Sequence, residues 1–345
     1  MKGRLIALDH LGGAEAAALL VDGRLDDLLI DSDRPRPGTI YRAIADRPVK
    51  GQGGMFLRTP EGPAFLRQVR GISPGQSLLV QVTGYAEPGK ALPVTGRILF
   101  KSRHAIVTPG APGLNVSRGI RDEAQRDTLL EIAHEAMAGD GPAGKTGLIL
   151  RSSCAEAEAE TIAEDIGAMM ALAIAVMGDA GGAVPEKLTE GDGPHALAWR
   201  DWTVPAQVVT TTGCFAEQGV LDLIEELRAP QARLAGGAGM WVEPTRALVA
   251  VDVNTGGDTS PSAGLKANLA AAKDLPRQLR LRGLGGQVTV DFAPMPKKER
   301  PGVEAALRAA LRTDGVETTL VGWTPLGHYE LQRKRDRVDL REVLR

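Results

Sequence analysis

Aromatic side chains make up only 3% of the 345-residue chain, and it carries only two cysteines. With so few rings, stacking on a planar ligand must rest on individually placed residues. Cys154 and Cys214 stand far apart in no metal-ligand spacing, which excludes a disulfide framework and reads as two small buried residues. No apolar run reaches the roughly 18 residues a bilayer span needs, so no membrane segment is expected. The opening MKGRLIALDH has neither the apolar region nor the cleavage site of a signal peptide, so the expected location is cytoplasmic. Basic excess is missing too. Lys and Arg number 41 against 43 Asp and Glu, a net charge of −2, so any grip on a polyanion must come from local patches. There is no internal repeat and no low-complexity tail, and the length suits two or three domains.

What is present centres on residues 245–298. Two β-type runs, Ala247–Val253 and Gln287–Phe292, carry Asp252 and Asp291 near their ends. Ionised carboxylates resist leaving water, and two of them side by side repel unless a cation lies between. Mg²⁺, with Mn²⁺ as the alternative, suits such a pair, because it takes one or two carboxylates plus water and substrate phosphate. Asn254, two residues after Asp252, shares its face of the strand and can add a neutral oxygen or orient a carboxylate. Either aspartate alone reads better as a turn former. A helix is expected from about Gly264 to Arg282, with Ser262 as N-cap, Gly283 as C-terminal stop and a kink or break at Pro276. Lys266, Lys273, Arg277 and Arg280 fall on one stripe of that helix, beside an apolar stripe of Leu265, Leu269, Ala272, Leu275 and Leu279. The basic stripe suits a row of phosphates, or is simply a solvated face.

Elsewhere, residues 1–36 read as a meander of three strands (4–8, 16–21, 25–30) with a turn at Asp22-Gly23. Residues 37–107 show short strands punctuated by Gly and Pro, the pattern of a small β-barrel. A helix begins near Arg121, a strand spans Thr146–Arg151, and an Ala/Glu-rich helix spans Cys154–Met177, capped by Ser152 or Ser153. Residues 178–195 read as a Gly/Pro loop without periodicity. Trp199, Trp202 and Trp241 read as packing residues, and His10 and His195 receive no role. Beyond Asp291 come the basic turn of Lys297, Lys298 and Arg300, a helix Pro301–Arg312 and a strand Glu317–Gly322.

The run ALVAVDVNTG…ANLAAAKDLPRQLRLRGLGGQVTVDF resembles the catalytic core of the ribonuclease E/G family. The resemblance implies an α+β multidomain protein: a ribonuclease H-like module (1–36 and a trimmed 196–230), an inserted S1-type OB barrel (37–107), a 5′-sensor-like region (108–195) and a DNase I-like α/β catalytic domain (231–345). It implies Mg²⁺ on Asp252 and Asp291, with Asn254 in support. It implies single-stranded RNA held by the barrel through Phe65 and Lys90, and by Lys266, Lys273, Arg277, Arg280, Lys297 and Lys298. Met55 stands at the position of Phe65's stacking partner, with Phe56 next door. Arg151-Ser152 stands for the family's Arg-Thr 5′-phosphate grip, although Arg151 reads equally well as an ordinary strand-end salt bridge. Two departures weigh against 5′-monophosphate stimulation in its usual form: Asn115 replaces a glycine, and Glu317 aligns with an arginine, where a carboxylate repels phosphate. The family's Cys-x-x-Cys zinc link and small domain have no counterpart, so neither structural zinc nor zinc-linked assembly is expected. The expected function is a Mg²⁺-dependent endoribonuclease giving 5′-phosphate and 3′-hydroxyl ends, in RNA processing or decay. The alternatives are a non-catalytic RNA-binding or regulatory member and, more remotely, a metal-dependent phosphatase or DNase.

Overall fold

The computed structural model describes residues 3–49, 53–68, 71–137 and 146–344. The chain forms two compact units, Arg34–Val204 and a second made of Met1–Asp33 with Pro205–Arg345. The latter opens with the expected meander: β1 (Arg4–Leu11), β2 (Ala14–Val21) and β3 (Arg24–Ile30). Asp22 and Gly23 both have positive φ (50° and 77°), the backbone that a two-residue hairpin turn between right-twisted strands demands.

In the unit Arg34–Val204, β4 (Ile40–Val49), β5 (Gly54–Thr59), β6 (Gly62–Leu66), β7 (Ser77–Val82) and β8 (Leu92–Thr95) close a five-stranded barrel, in the order β4-β5-β6-β8-β7 and back to β4. Alternate residues fill it, among them Tyr41, Ala43, Met55, Leu57, Ala64, Leu66, Val80 and Val94. A second sheet combines β9 (Phe100–Lys101), β10 (Ala105–Pro109), β11 (Gly113–Val116) and β12 (Thr146–Leu150), packed against α1 (Glu123–Met137) and α2 (Ala159–Gly178).

Three sequence expectations change here. The helix expected from Cys154 begins instead with a 3₁₀ turn at Ser152–Glu156; Ala157 is extended, and Glu158 precedes α2 without a side-chain cap, so neither Ser152 nor Ser153 caps it. By length and composition α2 is apolar enough to cross a bilayer, with a mean hydropathy of 1.5, contrary to the expectation that no segment would be. Here Ile162, Ile166, Met170, Ala173 and Val176 bury one of its faces in the core. Finally, the expected loop contributes β13 (Glu186–Thr189), paired antiparallel with β4, and then α3 (Pro194–Asp201). Buried Arg42 on β4 pairs with Glu186 of β13 and, at 2.5 Å, with Asp179 just after α2.

Back in the other unit, β14 (Gln207–Val209) joins β1 in parallel, and α4 (Cys214–Glu217) and α5 (Val220–Glu226) cover that sheet. A six-stranded sheet follows in the order β15-β16-β17-β18-β20-β19: β15 (Gln231–Arg233), β16 (Gly239–Pro244), β17 (Val249–Asn254), β18 (Gly286–Asp291), β19 (Thr318–Trp323) and β20 (Tyr329–Arg333). Parallel β17 and β18 are bridged by α6 (Ala263–Leu281). Val249, Val251, Val253, Val288, Val290 and Leu331 alternate onto the face covered by α6 and α7 (Arg300–Thr313). The other face keeps the polar residues and stays open. A short α8 (Leu340–Val343) ends the described chain.

Helix α6 continues through Pro276, so of the expected kink or break there is no break, and Ser262 makes no side-chain cap bond. Its C-terminal stop is as read. Gly283 (φ 66°) donates to the Arg280 carbonyl at 3.1 Å and Leu284 donates to that of Leu279 at 2.8 Å, a Schellman closure. Any side chain at 283 would also collide with the Val338 carbonyl.

Candidate active site on the open sheet face

Asp252 and Asp291 lie directly opposite one another in the β17–β18 register. Adjacent strands are about 4.8 Å apart, and parallel partners share a face, so the two carboxylates stand side by side. Both are exposed, Asp291 with 64% of its side chain accessible, so burial does not force their pairing as the sequence suggested; what remains is their adjacency. Asn254 follows on the same face, its Oδ1 accepting from the Gly256 amide at 2.9 Å. In the loop beyond, the Ser260 backbone and hydroxyl hydrogen bonds hold the Asp258 carboxyl below its ordinary range, and Lys266 Nζ lies 3.6 Å away.

Two further residues stand next to the pair. His328, just before β20, continues the Val290–Tyr329 register to sit opposite Asp291, with Nε2 4.0 Å from Asp291 Oδ1. Nothing local announces it, because the approach is made across strands. Asn268, fully buried on α6, donates from Nδ2 to the Ala293 carbonyl at 2.9 Å and accepts at Oδ1 from the Ala293 amide at 2.9 Å. It clamps the chain two residues after Asp291 to the helix. An amide on the apolar face of an amphipathic helix was the available signal.

The donor set fits a hard cation: two carboxylates and an amide oxygen, all open to water. Among the described residues no group of three or more His, Cys, Asp or Glu is arranged to hold a metal, so an ion here would complete its shell from water and substrate. A cleft of about 400 Å³ lined by Arg228, Arg282 and Arg341 among others contains neither carboxylate.

The basic stripe of α6 divides. Lys266 and Lys273 are exposed. Arg277 and Arg280 are turned to structural use instead, because β3 packs over that half of the helix. Arg277 Nε pairs with Asp274 at 2.8 Å, and its Nη1 donates to the Leu25 carbonyl at 2.5 Å. Arg280 pairs with Asp314, with Asp27 at 3.1 Å, and donates to the Asp26 carbonyl at 2.7 Å. Asp314 in turn binds Arg333 at 2.5 Å, both side chains 1% exposed. Burial would depress the Arg280 pKa, but Asp27, Asp314 and Asp26 together raise it. Neither arginine is free to meet a ligand. Lys297 and Lys298, in the 3₁₀ turn Lys297–Glu299 beyond β18, are exposed, as is Glu317, just before β19.

On the barrel, Phe56 lies opposite Phe65 in the β5–β6 register, with ring centroids 5.3 Å apart. Met55 points inward and is 4% exposed. Phe65's partner is therefore Phe56 rather than Met55; the two rings share one face, and both stand partly exposed outside the core. The Phe65 ring lies over Gly54, where a Cβ would strike it, and Arg47 stacks over Phe56 at 5.2 Å. Lys90 pairs with Glu87 at 2.6 Å and is 65% exposed.

Both terminal nitrogens of Arg151 are engaged within the fold. Nη1 donates to the carbonyls of Ser102 (2.6 Å), Arg200 (3.1 Å) and Arg103 (3.3 Å), and Nη2 pairs with Asp201 at 2.7 Å. Burial alone would raise the Asp201 pKa, but Arg200, Lys101 and Arg151 lower it far below the usual carboxylate range. Ser152 lies exposed in the following turn, and Asn115 is exposed on β11.

The family model described as "Ribonuclease E/G family" matches residues 100–205 and 203–336. Ribonuclease E of Nostoc sp. is 26% identical over 396 residues, covering 98% of this chain and 56% of that protein. Ribonuclease E of Synechocystis sp. is 25% identical over 388 residues, 95% of this chain and 56% of that protein. Ribonuclease G of Salmonella typhimurium is 27% identical over 307 residues, 78% of this chain and 62% of that protein. The chain thus spans little more than half the length of these relatives.

Proposed function

The chain belongs to the ribonuclease E/G family, and we propose that it is a metal-dependent endoribonuclease that cuts single-stranded RNA on the open face of the six-stranded sheet. The observation that carries this reading is the register that sets Asp252 beside Asp291. We assign the β1–β3 meander with β14 to a ribonuclease H-like module, the barrel to an S1-type OB fold and the six-stranded sheet with its helices to a DNase I-like domain. Asp252 and Asp291 would hold Mg²⁺, and Asn254 would orient a carboxylate. A magnesium ion there supplies charge neutralisation at the scissile phosphate and an activated water. With water rather than the ribose 2′-oxygen as nucleophile, the products carry 5′-phosphate and 3′-hydroxyl ends. Asn268 sets the position of the segment after Asp291. Lys266, Lys273, Lys297 and Lys298 neutralise neighbouring phosphates, and the Phe56–Phe65 pair stacks bases.

Because Arg151 is committed to carbonyls and Asp201, the proposed enzyme does not distinguish a 5′-monophosphate from a 5′-hydroxyl. The test is cleavage of a labelled single-stranded RNA in both 5′ forms, with Mg²⁺ or chelator. Internal cuts that disappear with chelator and proceed equally on both forms are expected. RNA binding without cuts would favour a non-catalytic RNA-binding member.

A further inference from the structure

We propose that Trp241 is a stacking platform for one RNA base next to the cut, a positioning element that the carboxylates do not provide. The proposal rests on the reading of the Asp252–Asp291 face as the cleavage site. Trp241 lies directly opposite Asp252 in the antiparallel β16–β17 pair, and such partners project from the same face. Its neighbours Met240 and Val242 are buried in the core, 0% and 2% exposed, which places the indole on the open face with the carboxylates. One row across the sheet therefore reads Trp241, Asp252, Asp291, His328.

The ring is held down. A Cβ added at Gly239 would meet Trp241 Cζ3 at 2.9 Å and Cη2 at 3.1 Å, so the six-membered ring reaches back over bare glycine backbone. Gly239 is the register partner of Asn254, which sets the indole alongside the carboxylate-bearing end of β17. It stays partly exposed rather than sealed in the core. The sheet's other two aromatic residues face the opposite way: Tyr329 is in the core, and Trp323 packs against it at 5.1 Å. A flat ring one strand spacing from a phosphate-handling pair is in reach of the base attached to that nucleotide. Any base can use it, because stacking needs a π-face and no particular hydrogen-bond pattern.

The experiment uses a set of single-stranded RNAs, each lacking one base at a different position around the cut, with cleavage rate and binding by fluorescence anisotropy read on the same set. For the wild type, one abasic position adjacent to the cut lowers kcat/KM and affinity by roughly 5- to 100-fold. In Trp241→Ala that position-specific penalty vanishes, and in Trp241→Phe most of it is retained. Gly239→Ala, which lifts the ring without removing it, weakens the penalty. Melting curves confirm that each variant is folded. Cleavage with the same abasic profile in wild type and Trp241→Ala overturns the role of Trp241 and leaves the nuclease reading intact. Absence of cleavage in all forms, with an abasic-sensitive binding that only Trp241→Ala loses, does the reverse.

Discussion

Replacing Arg280 with alanine separates structural from RNA-binding roles along α6. The side chain is 11% exposed and is tied to Asp314 and Asp27, themselves 1% and 10% exposed, with Arg333 completing the network. Taking one partner out of such a network leaves buried carboxylates uncompensated, a loss of about 3–5 kcal/mol. For a unit of this size each kcal/mol moves Tm by about 2–4 °C, so Arg280→Ala should melt roughly 6–20 °C lower. The deficit should persist in high salt, since buried pairs are poorly screened. Well below the melting transition, its affinity for single-stranded RNA should stay within about threefold of wild type, because Arg280 touches no ligand. Circular dichroism melts and anisotropy titrations read both quantities. The companion variants Lys266→Ala and Lys273→Ala should show the opposite pattern: an unchanged Tm, weaker RNA binding and a salt slope flattened by about 0.7 for each phosphate no longer neutralised. An Arg280→Ala protein with wild-type Tm and abolished RNA affinity would refute the reasoning.

Truncating either ring of the Phe56–Phe65 pair should weaken single-stranded RNA binding by about 1–3 kcal/mol, read by titration, whereas Met55→Leu should leave it unchanged. Asp274 predicts acid sensitivity. Burial alone would raise its pKa, but Arg277, Gln278 and Arg24 together lower it. A carboxyl depressed on folding contributes stability above its unfolded value of about 3.9, lost as pH falls through the folded value. Wild-type Tm should therefore drop below about pH 4–5, and Asp274→Asn, less stable at pH 7, should lose less over the same interval. An identical pH profile in both proteins would contradict the assignment.

The β17–β18 pair was legible because apolar alternation and a lone carboxylate at each strand end are local signals. The charge stripe of α6 was legible as a stripe, but its split was not: the cover over Arg277 and Arg280 comes from Leu25–Asp27, about 250 residues away in sequence, as Arg280's hydrogen bond to the Asp26 carbonyl shows. The Phe56–Phe65 pairing was within reach. Thr59 pairs with Gly62 across the short turn at Pro60-Glu61, and that closure fixes Phe56, not Met55, opposite Phe65. Strand β13 has no sequence signal, because Glu186-Lys-Leu-Thr, an edge strand after Pro185, lacks apolar alternation. The sequence marks Arg151 as a guanidinium at a strand end, yet its carbonyl partners come from Ser102, Arg103 and Arg200, which only tertiary structure assembles.

The most direct test of the central claim is single-turnover cleavage of a short single-stranded RNA by Asp252→Asn and Asp291→Asn in Mg²⁺, with binding measured on the same RNA. Removing a direct ligand should cost more than the about 10–100-fold typical of outer-shell partners, so each variant should cut at least about a hundredfold more slowly while binding as tightly as wild type or tighter. Wild-type cleavage by Asp291→Asn would contradict the account.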